Sequence, residues 1–73
     1  MTLLHFIGLD ITEQAECIWQ GTYLAMRSEP GHKILLYRLY DFYAEVFYHE
    51  QQNEIVRIKG FRANSHLIPY MLL

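Results

Sequence analysis

Residues 41–50, "DFYAEVFYHE", decide how this chain is read. The two-residue period of a strand sets Phe42, Ala44, Val46 and Tyr48 on one side and Tyr43, Glu45, Phe47 and His49 on the other. Both sides carry apolar groups, so both call for something to pack against. The partner is the run that follows. If "QQN" (51–53) forms a three-residue loop with Asn53 in the left-handed conformation, Val46 faces Ile58, Tyr48 faces Val56 and Ala44 faces Gly60 on one side of the hairpin. The same register sets Glu45 against Lys59, Phe47 against Arg57 and Tyr43 against Phe61 on the other side, all favourable pairs. A slip of one residue would bring Val46 opposite Arg57 or Lys59, so the pattern selects this pairing.

Upstream, "TYLAMRS" (22–28) and "KILLYRLY" (33–40) flank "EPGH" (29–32). Pro30 presets the first turn dihedral and Gly31 accepts the positive one, which makes a hairpin with a type II turn. The next connection lies near Tyr40 and Asp41. A turn of two residues or of three leaves the register of the second and third strands open, and one choice sets His32 opposite His49. Earlier still, "LDITEQAECIWQG" (9–21) has the marks of a helix. Asp10 and Glu13 form a capping box, Gly21 offers a left-handed stop, and Ile11, Ala15, Ile18 and Trp19 make a stripe expected to be buried, with Cys17 off it. Residues 2–8, "TLLHFIG", read as a helical turn capped by Thr2 or as a strand, with helix preferred.

The tail "RANSHLIPYMLL" (62–73) has caps at Asn64 and Ser65 followed by apolar residues at helical spacing, with Pro69 tolerable only in a first turn. A short C-terminal helix or an extended arm is expected. So apolar an end packs on its own domain or on a neighbour's. The fold class expected is α+β, one small domain over 1–73: an N-terminal helical segment packed on a three-stranded antiparallel meander, with the short C-terminal helix.

The run 41–61, preceded by "ILLYRLY" and by a helix ending "CIWQG", resembles a pattern in small uncharacterised bacterial proteins. In that pattern a helix with a Trp near its end precedes an antiparallel meander with an FYxEV core. The resemblance covers most of the chain and implies a fold, with no activity, cofactor or site residue attached.

Composition narrows the function classes. A chain of 73 residues buries only about 60% of the surface its unfolded form exposes. One cysteine excludes an internal disulfide, and paired Cys/His spacing for a structural zinc is missing. Yet 52% of the residues are hydrophobic, more than so short a chain readily hides, and association with a second copy or with another protein is the simplest cover. A net charge of −2 weighs against nucleic acid and acidic lipid, and the N-terminal "MTLLHFIGLD" lacks the basic start of a signal peptide and the length of a membrane span. With its lone thiol the protein is expected in the cytoplasm.

No phosphate loop, nucleophile elbow or zinc-protease motif occurs, and Glu45 and His49 stand too far apart on one strand for a dyad. No catalytic residue and no cofactor are therefore assigned. His32 and His49 would be candidate metal ligands if they face each other. The favoured reading is a non-enzymatic interaction module that forms a homodimer through the mixed face of Tyr43, Glu45, Phe47, Arg57, Lys59 and Phe61. Two alternatives stand beside it: nucleic-acid binding through the same aromatic and basic face, and a small metal-binding or catalytic protein. Within one chain, "LIPYMLL" could cover that face instead.

Overall fold

The structure, a computed structural model, describes residues 1–62 together with Leu67 and Tyr70. Two short helices, α1 (Leu3–Ile7) and α2 (Ile11–Ile18), precede four strands: β1 (Thr22–Glu29), β2 (His32–Leu39), β3 (Phe42–His49) and β4 (Glu54–Phe61). Both helix starts are made by the caps the sequence offers. The Thr2 hydroxyl accepts the His5 N–H at 3.1 Å, so residues 3–7 are helical. At α2 the Glu13 N–H donates to Asp10 Oδ1 at 2.8 Å and the Asp10 N–H donates to Glu13 Oε1 at 3.2 Å, closing the capping box. Among the described residues no helix is long and apolar enough to cross a membrane.

The strands form one antiparallel sheet in the order β1-β2-β3-β4. The expected meander of three strands is thus one of four, because each of the three turns joins two strands and "TYLAMRS" supplies an edge strand of its own. Pro30 and Gly31 make the first turn, with Gly31 at φ +82, the value the third position of a type II turn demands. At the second turn only Tyr40 and Asp41 intervene, Leu39 faces Phe42, and the register that follows places His32 opposite His49. Tyr40 takes the left-handed conformation there, φ 54.

The last hairpin keeps the expected pairs Val46 with Ile58, Ala44 with Gly60, Glu45 with Lys59, Phe47 with Arg57 and Tyr43 with Phe61. Asn53 is left-handed at φ 56, as expected. Nearer the turn the expectation fails. Tyr48 faces Ile55 in place of Val56, and His49 faces Glu54, so the loop has one residue more than "QQN" and Val56 is the extra residue of a bulge. The longer loop is held by the Asn53 N–H on the His49 carbonyl at 2.9 Å and by the Tyr48 hydroxyl on Asn53 Oδ1. β1 is bulged too, with Leu24 between the pairs Tyr23–Tyr37 and Ala25–Leu36.

Both helices pack on one face of the sheet. The core there is Phe6, Ile18, Leu39, Phe42, Ala44 and Val46, with the Phe6 and Phe42 rings 5.3 Å apart. Helix α1 comes so close to β4 that a Cβ on Gly60 would lie 2.9 Å from Leu3 Cδ1. The expected stripe of α2 is corrected by its rotation. Ile18 is buried, but Trp19 is 56% and Ile11 42% exposed, while Cys17 packs against the core. Gln14 also turns toward α1, its Nε2 donating to the Phe6 carbonyl at 3.0 Å. That bond and the room taken by Phe6 set the phase. Gly21 is not the left-handed stop expected; it allows close approach, since a Cβ there would sit 2.7 Å from the Arg38 carbonyl oxygen. The expected C-terminal helix lies, apart from Leu67 and Tyr70, outside the described residues.

Truncation separates the two kinds of aromatic. Phe6→Ala is expected to cost roughly 3–5 kcal/mol, enough to unfold much of so small a protein. Trp19→Ala, which gives up an edge contact with Tyr37 at 5.8 Å, is expected to cost about 1 kcal/mol or less. Urea denaturation of the two variants checks the difference, and equal midpoints would contradict the packing described.

Candidate functional site

The sheet face turned away from the helices brings together all six residues of the expected mixed face. Tyr43 stacks on Phe61 with centroids 5.8 Å apart and planes 23° from parallel. The Arg57 guanidinium lies over the Phe47 ring at 5.4 Å, and Lys59 faces Glu45 across the strands. The face is not an open surface. Glu45 is 2% and Phe61 5% exposed, and Ile34 and Leu36 of β2 beside them are buried as well.

Two residues account for the burial of Glu45: Arg27, which the sequence pattern did not single out, and Tyr70, from the "LIPYMLL" run expected as the alternative cover of this face. Arg27 on β1 reaches across β2 and donates from Nη2 to Glu45 Oε2 at 3.1 Å, while its Nη1 donates to Glu29 Oε1 at 2.7 Å. Tyr70 donates its hydroxyl to the same Glu45 oxygen at 2.6 Å, and the Arg27 guanidinium lies 5.6 Å from the centre of its ring. A carboxylate removed from water is costly unless it is paired and hydrogen-bonded, and here the Arg27 guanidinium pairs with it and the Tyr70 phenol adds a hydrogen bond. Arg27 carried a usable signal. The "EPGH" turn and the Leu39–Phe42 turn together place it on the same sheet face as Glu45, and it is the only cation in β1. Tyr70 carried a weaker one, a hydroxyl within the otherwise apolar run "LIPYMLL".

The cluster fixes its own protonation. Burial alone would lower the Arg27 pKa, but its bonds to Glu29, Tyr70 and Glu45 outweigh that and hold it above the ordinary value. For Tyr70, burial first and then the bond to Glu45 and its negative charge push the phenol well above the usual tyrosine range. The cluster is thus a hydrogen-bonded structural network in which the Arg27 guanidinium stays charged and the Tyr70 phenol stays neutral at pH 7.

The two histidines do meet, with ring centroids 5.1 Å apart. His32 Nδ1 lies 3.4 Å from the Pro30 carbonyl oxygen. The Gln52 N–H donates to His49 Nδ1 at 3.1 Å, which leaves the proton of the neutral ring on Nε2. A metal taking Nε2 would have to move that proton to Nδ1 and break the bond. Glu29, the nearest carboxylate on β1, is already held by Arg27. Among the described residues no three His, Cys, Asp or Glu side chains cluster as a metal site.

The open apolar surface lies on the helix side. Because α2 is rotated, Ile11, Ala15 and Trp19 form an outward row and, with Thr12, Glu16 and Ile55, line a shallow groove. The row continues onto bare sheet: Trp19 meets Tyr37 edge-on at 5.8 Å and Tyr37 meets Tyr23 at 5.7 Å. Tyr23 is 52% and Met26 42% exposed, since neither helix reaches over β1. Comparison with known proteins finds no match among family models, curated proteins or solved structures.

Two outcomes are expected of the buried cluster. Glu45→Ala removes the acceptor of both Arg27 and Tyr70 and is expected to cost roughly 3–5 kcal/mol, whereas Tyr70→Phe, which removes one hydroxyl, costs about 1.5–3 kcal/mol; denaturant titration measures both. The second outcome concerns alkaline pH. With its folded pKa raised, the Tyr70 phenol contributes stability that is fully present below about pH 10, where a free tyrosine titrates, and is lost as pH rises through the folded value. Phenolate absorbance of the wild type minus that of Tyr70→Phe should therefore show one tyrosine ionising late.

Proposed function

We propose that this chain is a non-enzymatic interaction module that self-associates, and that the contact is the helix-side row from Ile11 through Trp19 to Tyr23 and Met26. The observation that carries this reading is the outward rotation of α2, which leaves its most apolar stripe uncovered beside Tyr23 and Met26 of β1, exposed on the same sheet face. Contiguous apolar surface of this kind on a small protein marks a contact. Trp19, Tyr23, Met26 and Ile11, with the half-buried Leu35, Tyr37 and Ile55, present on the order of 500 Å² of apolar surface. A standard interface removes about 800 Å² per partner, a little over half of it apolar, so the row meets the need of one isologous contact with a second copy.

The mixed face of Tyr43, Phe47, Arg57 and Lys59 is the lesser candidate for that role. Its centre, Glu45 and Phe61, is already covered within one chain. An aromatic anchor at the middle of the contact is the common pattern, and Trp19 fills that place on the helix side. A single free thiol, Cys17, is in keeping with a reducing compartment, so the cytoplasm is the location proposed.

Light scattering coupled to size exclusion tests the reading. The wild type is expected to run as a dimer at micromolar concentration and to dissociate on dilution. Trp19→Glu, at a position exposed in the monomer, should give a monomer with an unchanged circular dichroism spectrum and a stability independent of concentration. A wild type that is monomeric at high micromolar concentration overturns the proposal.

A further inference from the structure

The contact between Tyr70 and the Arg27–Glu45 pair has the form of a bound ligand in its site. Glu45 comes from β3 and Arg27 from β1, both on rigid strands, while Tyr70 lies outside the four strands. Each half of the phenol is read separately. The hydroxyl meets a charged acceptor at 2.6 Å, and the ring lies beside a guanidinium at 5.6 Å. We propose that Arg27 and Glu45 form a tyrosine-specific peptide socket, filled in this chain by its own C-terminal segment through Tyr70 and able to take the same segment from a second copy.

The chemistry of the socket sets its selectivity. Phenylalanine keeps the ring contact but leaves a carboxylate that is 2% exposed with one donor fewer. Serine and threonine bring a hydroxyl with no ring for Arg27 to lie against. A phosphorylated tyrosine would set phosphate oxygens against the Glu45 carboxylate and is repelled. The socket stands on the face opposite the helix-side row, so it is independent of the self-association proposed above.

The test uses the full chain carrying Tyr70→Ala, to which a synthetic peptide of residues 65–73 is added and followed by amide and side-chain NMR. The peptide is expected to shift the Arg27 and Glu45 resonances of the variant, to bind the wild type at least tenfold more weakly because the socket is filled, and to lose tenfold or more in affinity when its tyrosine is replaced by phenylalanine. Equal binding of the tyrosine and phenylalanine peptides, or binding that leaves Arg27 and Glu45 unmoved, overturns the proposal. If Tyr70→Ala does not fold, Tyr70→Phe keeps the ring and decides alone. The Glu45 carboxyl carbon and the Arg27 guanidinium signals should then move relative to the wild type, and unchanged signals overturn the socket.

Discussion

An arginine on the first strand and a glutamate on the third meet across the second, and the far side of the sheet depends on that meeting. Glu45 sits at a position where the alternation of β3 would otherwise place an apolar residue, between Tyr43 and Phe47. Its carboxylate can leave water only because Arg27 reaches it at 3.1 Å, and Arg27 can reach it only if the two intervening registers hold. A slip of one residue in either hairpin would turn one partner to the opposite face and deprive the buried carboxylate of its guanidinium, which costs several kcal/mol. The ion pair therefore acts as a register lock. It adds little net stability against a hydrophobic pair of equal volume, but it makes the wrong pairings expensive.

The two faces solve the same problem by different means. On the helix side, Phe6 and Ile18 cover Phe42, Ala44 and Val46 by apolar burial alone, and the bond from Gln14 to the Phe6 carbonyl joins the helices to each other. On the far side, Arg27 and Tyr70 bring one cation and one hydroxyl to Glu45 beside the buried Ile34 and Leu36. Helices α1 and α2, of five and eight residues, are too short to span all four strands on that face. What they leave open, beside β1, is the exposed row of Trp19, Tyr23 and Met26.

Much of this was legible in the sequence where a local rule had one solution. The capping box at Asp10 and Glu13, the cap at Thr2, the Pro30–Gly31 turn and five of the β3–β4 pairs follow from side-chain chemistry and the two-residue period. The bulge at Val56 was not legible, because Ile55, Val56 and Ile58 are all apolar and an extra residue among them breaks no pattern. The phase of α2 misled for a more general reason. A hydrophobic stripe marks the side that avoids water, and that side is the core only if the rest of the chain is large enough to reach it. Here Ile11, Ala15 and Trp19 form the stripe while Gln14, Cys17 and Ile18 face inward. The mixed face was read as a set of neighbours, but its covering depends on Arg27, which only the combined registers of two hairpins bring to Glu45, and on Tyr70, whose contact with residue 45 has no local signature.

The edges of the sheet bear on how a second copy would approach. An open four-stranded sheet has two outer strands, and an unpaired strand edge invites further strands. Both outer strands here carry a bulge, at Leu24 in β1 and at Val56 in β4, and each interrupts the even row of donors and acceptors that a new strand would need. Edge-to-edge pairing is thus discouraged on both sides by the same device. The far face is filled at its centre by Glu45 and Phe61, whereas on the helix side Trp19, Tyr23 and Met26 stay exposed beside α2, and Leu4 and Ile7 on α1. Association through that face leaves the register lock, the turns and the core as they stand in one chain, so the fold and the contact can be gained or lost independently.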